Sequence, residues 1–71
     1  MGINAREIGQ RVRTLRMERK LRQVDLADEL GVTLSTVGRI ESGIIMVSLD
    51  LAVDISNLFC VSLDYLVLGR E

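Results

Sequence analysis

Residues 23–42 read QVDLADELGVTLSTVGRIES, and this stretch predicts two short helices joined by a tight turn. Leu26 and Leu30 lie one helical turn apart and give the first segment a narrow apolar stripe. Gly31 ends that segment, because the residue just past a helix end often takes a positive φ that glycine reaches without strain. Thr33 suits the N-cap of the second segment, where its hydroxyl accepts from a free backbone N–H. Helices this short bury little surface alone, so the pair must cross and share a core with the rest of the chain.

A further helix is predicted ahead of this pair. Asn4 suits its N-cap, and Glu7 stands three residues later, where a capping-box partner belongs. Ile8, Val12 and Leu15 then recur at helical spacing, which predicts that one face of this helix is buried in the core.

Two more helices are predicted nearer the carboxyl end, with Ser48 and Ser62 as their N-caps. In the first of the two, the predicted core stripe consists of Leu49, Ala52, Ile55 and Phe59. A chain of 71 residues is long enough for one domain only. The pattern therefore predicts a single all-α domain over residues 1–71, with five helices and no strands.

The same stretch resembles the helix-turn-helix motif of the Cro/phage-repressor (XRE-type) family. That family has a small residue early in the first helix of the motif, a glycine in the turn, and apolar residues at set offsets. The matching positions here are Leu26, Ala27, Leu30, Gly31, Val32, Val37 and Ile40. The flanking sequences IGQRVRTLR, IESG and VSLDYLVLG match as well, so the resemblance covers residues 6–69. It implies a phage-repressor-like five-helix fold and a transcriptional regulator of bacterial or phage origin that binds double-stranded DNA.

The formal charge is unevenly distributed along the chain. The total of −1 argues mildly against a nucleic-acid binder, which usually has a basic face. Residues 1–22, however, carry seven cations against two acids, a balance of +5. Residues 23–71 carry two cations against eight acids, a balance of −6. Such polarity orients a protein on a polyanion even when the total is acidic, although a basic helix face that is merely solvated explains the pattern equally well.

Composition argues against an enzyme and against a cofactor. The chain has no histidine, so its one cysteine, Cys60, lacks the usual activating base and is predicted to be a small buried or interface residue. Asp25, Asp28 and Glu29 have no other ligand types nearby, which favours a solvated face over a metal site. No small-molecule effector is evident. The single cysteine and the lack of a membrane-length apolar run favour a cytoplasmic location without a membrane partner.

The resemblance implies which side chains meet DNA. The second helix of the motif, residues 34–41, would lie in the major groove. The implied base-facing positions are Thr33, Leu34, Ser35, Gly38 and Arg39. Arg39 suits a bidentate contact with guanine, and Leu34 suits a thymine methyl group. Gly38 is unfavourable inside a helix, which fits either a close approach of the backbone to a partner or simple drift. The implied phosphate contacts are Arg16, Arg22, Gln23, Thr36 and Ser42.

The resemblance also implies an ion pair, and the chain departs from the family at the junction before the motif. Arg16 lies beside the core face of the first helix, where a charge needs a partner. The family pairs it with the glutamate of IESG, here Glu41, while two unrelated surface charges are the alternative. Lys20 stands where the family has a glycine, and Arg22 stands where it has a small N-cap. Each departure is expected to lower the stability of the neighbouring helix by about 1 kcal/mol. Arg22 is expected to compensate for this loss in function, by contacting a phosphate.

Residues 44–47, IIMV, replace the polar and basic loop with which relatives touch the DNA backbone. They either pack under the fourth helix or extend an apolar patch for another chain. Because one module makes few base contacts, the resemblance implies a homodimer on a palindromic operator, with recognition helices about 34 Å apart. The predicted dimer residues are Ile44, Met46, Leu51, Leu58, Leu63 and Val67. The alternative function is a protein-interaction module, such as an antitoxin or anti-repressor, with weak or no DNA binding.

Overall fold

The computed structural model of the protein describes residues 2–70, which form five α-helices and no strand. The helices are α1 (Ala5–Glu18), α2 (Gln23–Leu30), α3 (Leu34–Ser42), α4 (Leu49–Phe59) and α5 (Leu63–Leu68). The predicted all-α, five-helix fold is confirmed, and the predicted motif corresponds to α2, the turn at residues 31–33, and α3. None of these helices is long and apolar enough to cross a membrane.

Side-chain caps begin four of the five helices. Asn4, Thr33, Ser48 and Ser62 each accept a hydrogen bond from the backbone N–H three residues on, at 3.0–3.2 Å. Each bond satisfies one of the four free N–H groups that a helix leaves at its start. Donor and acceptor are only three residues apart, so these helix starts follow from local sequence without help from tertiary packing.

Two helices end without a glycine. Lys20, in the turn after α1, has a φ of +58°, and Cys60, the residue that follows α4, has a φ of +56°. A residue with a side chain is strained by roughly 1–2 kcal/mol in this left-handed conformation, which glycine adopts freely. Cys60 is also exposed, so the buried one of its two predicted roles is wrong, while the interface role stays a prediction. The reason is that its neighbours Phe59 and Val61 take the core-facing directions at this turn.

One hydrophobic core lies between the five helices. Its buried members are Ile8, Val12, Leu15, Leu26, Ala27, Val37, Ile40, Val47, Ala52, Ile55, Phe59 and Leu66. α1 crosses α3 at Gly9, where an added Cβ would lie 2.8 Å from the carbonyl oxygen of Glu41 and closer still to that of Ile40. Only a residue without a Cβ permits two backbones to approach this closely. The sequence alone did not distinguish Gly9 from the other glycines.

The buried stripe of α4 differs from the predicted one by one residue. Ser56 is buried in it, whereas Leu49 is 74% exposed, which corrects the prediction that Leu49 lies in the core. At roughly 100° per residue, Leu49 lies about 70° from the centre of the buried stripe, at the first position of the helix. The Ser56 hydroxyl donates to the Val53 carbonyl oxygen at 2.8 Å, so its burial leaves no unsatisfied polar atom.

Candidate nucleic-acid interface

α3 presents one continuous stripe of its surface to the outside. This stripe, the α3 stripe below, consists of Leu34, Ser35, Gly38, Arg39 and Ser42, of which all are exposed except the half-buried Gly38. The spacing i, i+1, i+4, i+5 and i+8 places these residues on one helix face. The opposite face buries Val37, Ile40 and Glu41. Thr33, the exposed N-cap, stands at the amino end of the stripe. The structure therefore brings all five predicted base-facing residues together on one side of the molecule.

Hydroxyl groups at the two ends of α3 already have local partners. Thr33 Oγ1 accepts from the Thr36 backbone N–H at 3.1 Å and lies 2.9 Å from Thr36 Oγ1. At the other end, Ser42 Oγ donates to the Arg39 carbonyl oxygen at 3.2 Å. A hydroxyl has one hydrogen to donate and two lone pairs, so each of these groups keeps hydrogen-bonding capacity for a ligand. Thr36 is half-buried, while Ser42 is exposed.

A buried ion pair ties α1 to the inner face of α3. Arg16 Nε donates to Glu41 Oε2 at 2.7 Å, and Arg16 Nη2 donates to Glu41 Oε1 at 3.1 Å. The remaining terminal nitrogen, Nη1, donates to the Leu21 carbonyl oxygen at 2.7 Å. All three nitrogens of the guanidinium therefore have partners inside the protein, and the side chain is only 11% exposed. This corrects the prediction of a phosphate contact by Arg16, because the group points into the protein.

Gln23 joins the same cluster from the first position of α2. Its Nε2 donates to Glu41 Oε1 at 3.0 Å, so the Glu41 carboxylate accepts from Gln23 as well as twice from Arg16. The Gln23 side chain is half-buried. The contact holds the amino end of α2 against α3 and leaves one amide hydrogen and the amide oxygen of Gln23 for other partners.

The amino end of α2 lacks a side-chain acceptor at its N-cap position. Arg22 occupies this position, and a guanidinium has only donors, so the first amides of α2 receive no cap from it. Instead the Asp25 carboxylate accepts from the Arg22 backbone N–H at 2.8 Å and from its Nε and Nη2 at 3.0 and 2.9 Å. Hydrogen bonding to Arg22 holds the pKa of Asp25 below its usual range, and the same bonds raise the pKa of Arg22. Arg22 is exposed, so its other N–H groups face solvent.

Two further arginines of the basic amino-terminal segment hold helix ends in place. Arg11 Nη1 donates to the Leu66 carbonyl oxygen in α5 at 3.1 Å. Arg19 Nη2 donates to the Phe59 carbonyl oxygen at the end of α4 at 3.0 Å, and its guanidinium lies 5.5 Å from the centre of the Phe59 ring. A cation at a helix carboxyl end is favoured by the helix dipole and by the free carbonyls there. Sequence reasoning missed both roles. The one local indication was that α4 ends at Phe59 with no glycine after it.

The predicted dimer residues divide into two groups. Ile44 and Met46 are exposed, at 73% and 43%. The other four are half-buried and pack against the core; they are Leu51, Leu58, Leu63 and Val67. Within residues 44–47 the chain alternates, since Ile45 packs on the core and Val47 is buried. Ile45 and Val47 therefore pack on the core, whereas a contact of Ile44 and Met46 with another chain stays a prediction.

The three acidic residues of α2 were predicted to form a solvated face, and two of the three are exposed. Asp28 and Glu29 are the exposed ones, whereas Asp25 is half-buried and forms an ion pair with Arg22. Between residues 2 and 70, no three histidine, cysteine, aspartate or glutamate side chains come together in a way that could hold a metal ion.

Comparison with known proteins places the chain among helix-turn-helix proteins. A family model described as helix-turn-helix matches residues 12–66. The structure is similar to the P22 c2 repressor, crystallised in complex with a synthetic operator, with 27% identity and a TM-score of 0.83 over 89% of this chain and 96% of that one. No curated protein is significantly similar to the chain in sequence.

Two further solved structures are similar over most of their length. One is the restriction-modification controller protein C.AhdI from Aeromonas hydrophila, with 32% identity and a TM-score of 0.79 over 87% of this chain and 94% of that one. The other is SinR, a master regulator for biofilm formation crystallised in complex with DNA, with 30% identity and a TM-score of 0.76 over 83% of this chain and 95% of that one.

Proposed function

Because the chain belongs to the XRE-type helix-turn-helix family, we propose that it is a transcriptional regulator that binds a palindromic operator as a homodimer. The observation that carries this proposal is the α3 stripe, an outer face with three polar side chains on a helix whose opposite face is buried in the core. A helix presented in this way fits the major groove of a DNA duplex. The regulator would act in the cytoplasm of a bacterium or of a phage-infected cell.

Sequence readout is assigned to the α3 stripe together with Thr33. Arg39 is the principal specificity residue, because a guanidinium bonds guanine O6 and N7 in a bidentate way and discriminates by about 1–3 kcal/mol. Ser35 donates to or accepts from base edges, and Leu34 packs against a thymine methyl group. The buried Arg16–Glu41 pair supports this face from behind, since Glu41 lies on the inner side of the same helix.

Phosphate binding is assigned to the amino end of α2 and to both ends of α3. The uncapped first amides of α2 and its positive dipole end favour an anion. Gln23 keeps one amide hydrogen for such a ligand, and Arg22 keeps outward-facing N–H groups. Thr36 and Ser42 complete the proposed set. Such contacts position a protein on the duplex without reading its sequence.

Dimerisation is assigned to apolar residues of the segment that follows α3, residues 44–47, and of α4 and α5. Ile44 and Met46 are exposed there, and the half-buried residues Leu51, Leu58, Leu63 and Val67 add apolar surface on α4 and α5. Two copies related by a two-fold axis would place two recognition helices on successive turns of one DNA face, about 34 Å apart.

The second candidate function is a protein-interaction module with weak or no DNA binding. Three observations favour it: residues 44–47 carry no cation, the net charge is −1, and Arg11, Arg16 and Arg19 are all engaged within the protein. The basic segment thus offers fewer free charges to a phosphate backbone than its composition indicates. An apolar and acidic surface of this kind suits a protein partner.

Salt-dependent DNA binding separates the two candidates. Binding of the full chain to a random duplex is measured across a salt series, with the oligomeric state followed by sedimentation. A regulator is expected to be a dimer whose log K falls linearly with log salt, with a slope that reflects several phosphate contacts. If the protein shows no measurable binding to DNA even at low salt, the DNA proposal is refuted and a protein partner should be sought.

Arg39→Ala tests the readout residue on a duplex selected from a random pool by the wild-type protein. We expect affinity for this duplex to fall by about 5–150-fold, equivalent to 1–3 kcal/mol. Arg13→Ala is the matched control, because Arg13 is an exposed arginine of α1 that lies outside the α3 stripe. If both variants lose equal affinity on the selected duplex, Arg39 contributes charge only and the assignment is wrong.

A further inference from the structure

Five glycines lie inside a helix or directly after one, and for four of them the structure explains why a glycine is needed. Gly31, Gly43 and Gly69 end helices at φ values of +70°, +80° and +74°. Gly9 permits the close crossing of α1 and α3. Gly38 has neither reason: it lies inside α3 without a positive φ, and an added Cβ would have no atom within 4 Å beyond its chain neighbours and the backbone of its own helix.

Gly38 nevertheless occupies a position where it is costly. Glycine in a helix interior is less stable than alanine because its backbone loses more freedom on folding. An alanine methyl group would fit here without displacing any atom of the protein. Nothing within residues 2–70 compensates for the glycine, which leaves simple drift or a gain from a contact outside the chain as its explanation.

The place of Gly38 indicates what lies outside. It stands at the centre of the α3 stripe, four residues after Leu34, three after Ser35 and four before Ser42, with Arg39 beside it. Residues at these separations are surface neighbours on a helix. Whatever contacts the α3 stripe as a whole must therefore pass directly over Gly38.

The dimensions of a duplex make such a clearance useful. A helix with its side chains is about 10–12 Å across, and the major groove is about 12 Å wide, so the fit is close. Ser35 and Thr33 have short side chains, whose hydroxyl groups reach base edges only if the backbone of α3 comes near them. A side chain at the centre of the stripe would hold the helix away from the bases.

We infer that Gly38 is a clearance residue: a base edge occupies the space where its side chain would stand, which seats α3 deeply enough for the short hydroxyl side chains to read the sequence. This inference rests on the proposed function and adds to it that specificity depends on an absent side chain. The glycine lowers the stability of the free protein and raises its discrimination between operator and other DNA.

Gly38→Ala and Gly38→Leu test the inference, because both residues favour helices and differ in size. Thermal unfolding gives their Tm, and fluorescence anisotropy gives Kd for two duplexes, the one selected by the wild-type protein and a random one. Gly38→Ala is expected to raise Tm by about 4–8 °C. It is also expected to weaken binding to the selected duplex by about tenfold or more, the scale of one mismatched base pair. Gly38→Leu should weaken it further.

Binding to the random duplex and a control variant distinguish the possible failures. Affinity for the random duplex should change by less than about threefold, because that binding depends on phosphates rather than on base edges. Asn57→Leu adds an apolar side chain to an exposed position of α4 and should leave both affinities unchanged. Unaltered binding of Gly38→Ala to the selected duplex would overturn the inference, as would a lowered Tm. A wild-type protein that binds neither duplex would instead overturn the proposed function and the inference with it.

Discussion

Replacing Glu41 with glutamine is expected to destabilise the fold severely. The carboxylate accepts three hydrogen bonds, two from Arg16 and one from Gln23, at 2.7, 3.1 and 3.0 Å. A glutamine amide has nearly the same shape but offers one oxygen, and its NH2 group would face one of these donors. The substitution also leaves the Arg16 cation without a counter-charge in a site where its side chain is 11% exposed. Removing one partner of a buried pair costs about 3–5 kcal/mol.

That cost is large for a chain of this size. A domain of 71 residues is stable by roughly 4–11 kcal/mol at ordinary values per residue. Urea unfolding followed by circular dichroism at 25 °C should therefore show a much lower midpoint for Glu41→Gln, with an unchanged slope m if the unfolded state is unaffected. A midpoint that corresponds to a loss below about 1 kcal/mol would refute the buried-pair interpretation, because exposed ion pairs contribute only that much.

A double substitution provides the control. Arg16→Met combined with Glu41→Leu replaces the pair with apolar side chains of similar size, and such replacements are often neutral or stabilising. Here the Leu21 carbonyl and the Gln23 amide would lose their partners, so a net loss of about 1–3 kcal/mol is expected. The double variant should still be more stable than the sum of the two single substitutions predicts.

Three further substitutions test other parts of the structure. Gly9→Ala should lower the free energy of unfolding by about 1–3 kcal/mol or more, because the new methyl group overlaps the backbone of α3; wild-type stability in urea titrations would contradict the close helix crossing. Lys20→Gly should raise the free energy of unfolding by about 1 kcal/mol, because glycine adopts the positive φ without strain. Lys20→Ala should not raise it, and equal effects of the two substitutions would exclude backbone strain as the cause. Asp25→Asn should be less stable than wild type at pH 7, and the difference should vanish as the pH falls well below 3.8. Since the folded-state pKa of Asp25 is lowered from 3.8, its contribution is present above that value and is lost as the carboxyl protonates. A difference that does not shrink as the pH falls from 7 to below 3.8 would disprove the assignment.

Local sequence determined the number and type of the elements. Each capped helix start depends on an acceptor side chain and an N–H group three residues away, as at Thr33 and Ser48. The apolar spacing likewise identified the buried face of α1, because residues three and four apart share a helix face. In α3 the two apolar positions that match the motif, Val37 and Ile40, are the buried ones. The motif offsets also lie within a single segment, and the motif falls inside the family match over residues 12–66. The assignment of the α3 stripe to base edges comes from the family resemblance and stays a prediction.

Tertiary structure decided which partners three arginines of α1 and the turn after it bind. Arg11, Arg16 and Arg19 look alike in sequence, yet their partners lie 55, 25 and 40 residues away, and only folding brings these groups together. The resemblance to a family pointed to the Arg16–Glu41 pair, but spacing could not show that the pair uses every nitrogen of the guanidinium. Gly9 is a similar case, since its need for a missing Cβ arises from the path of another helix. Whether a segment forms a helix depends mainly on its neighbours in sequence, whereas the role of a side chain depends on its neighbours in space.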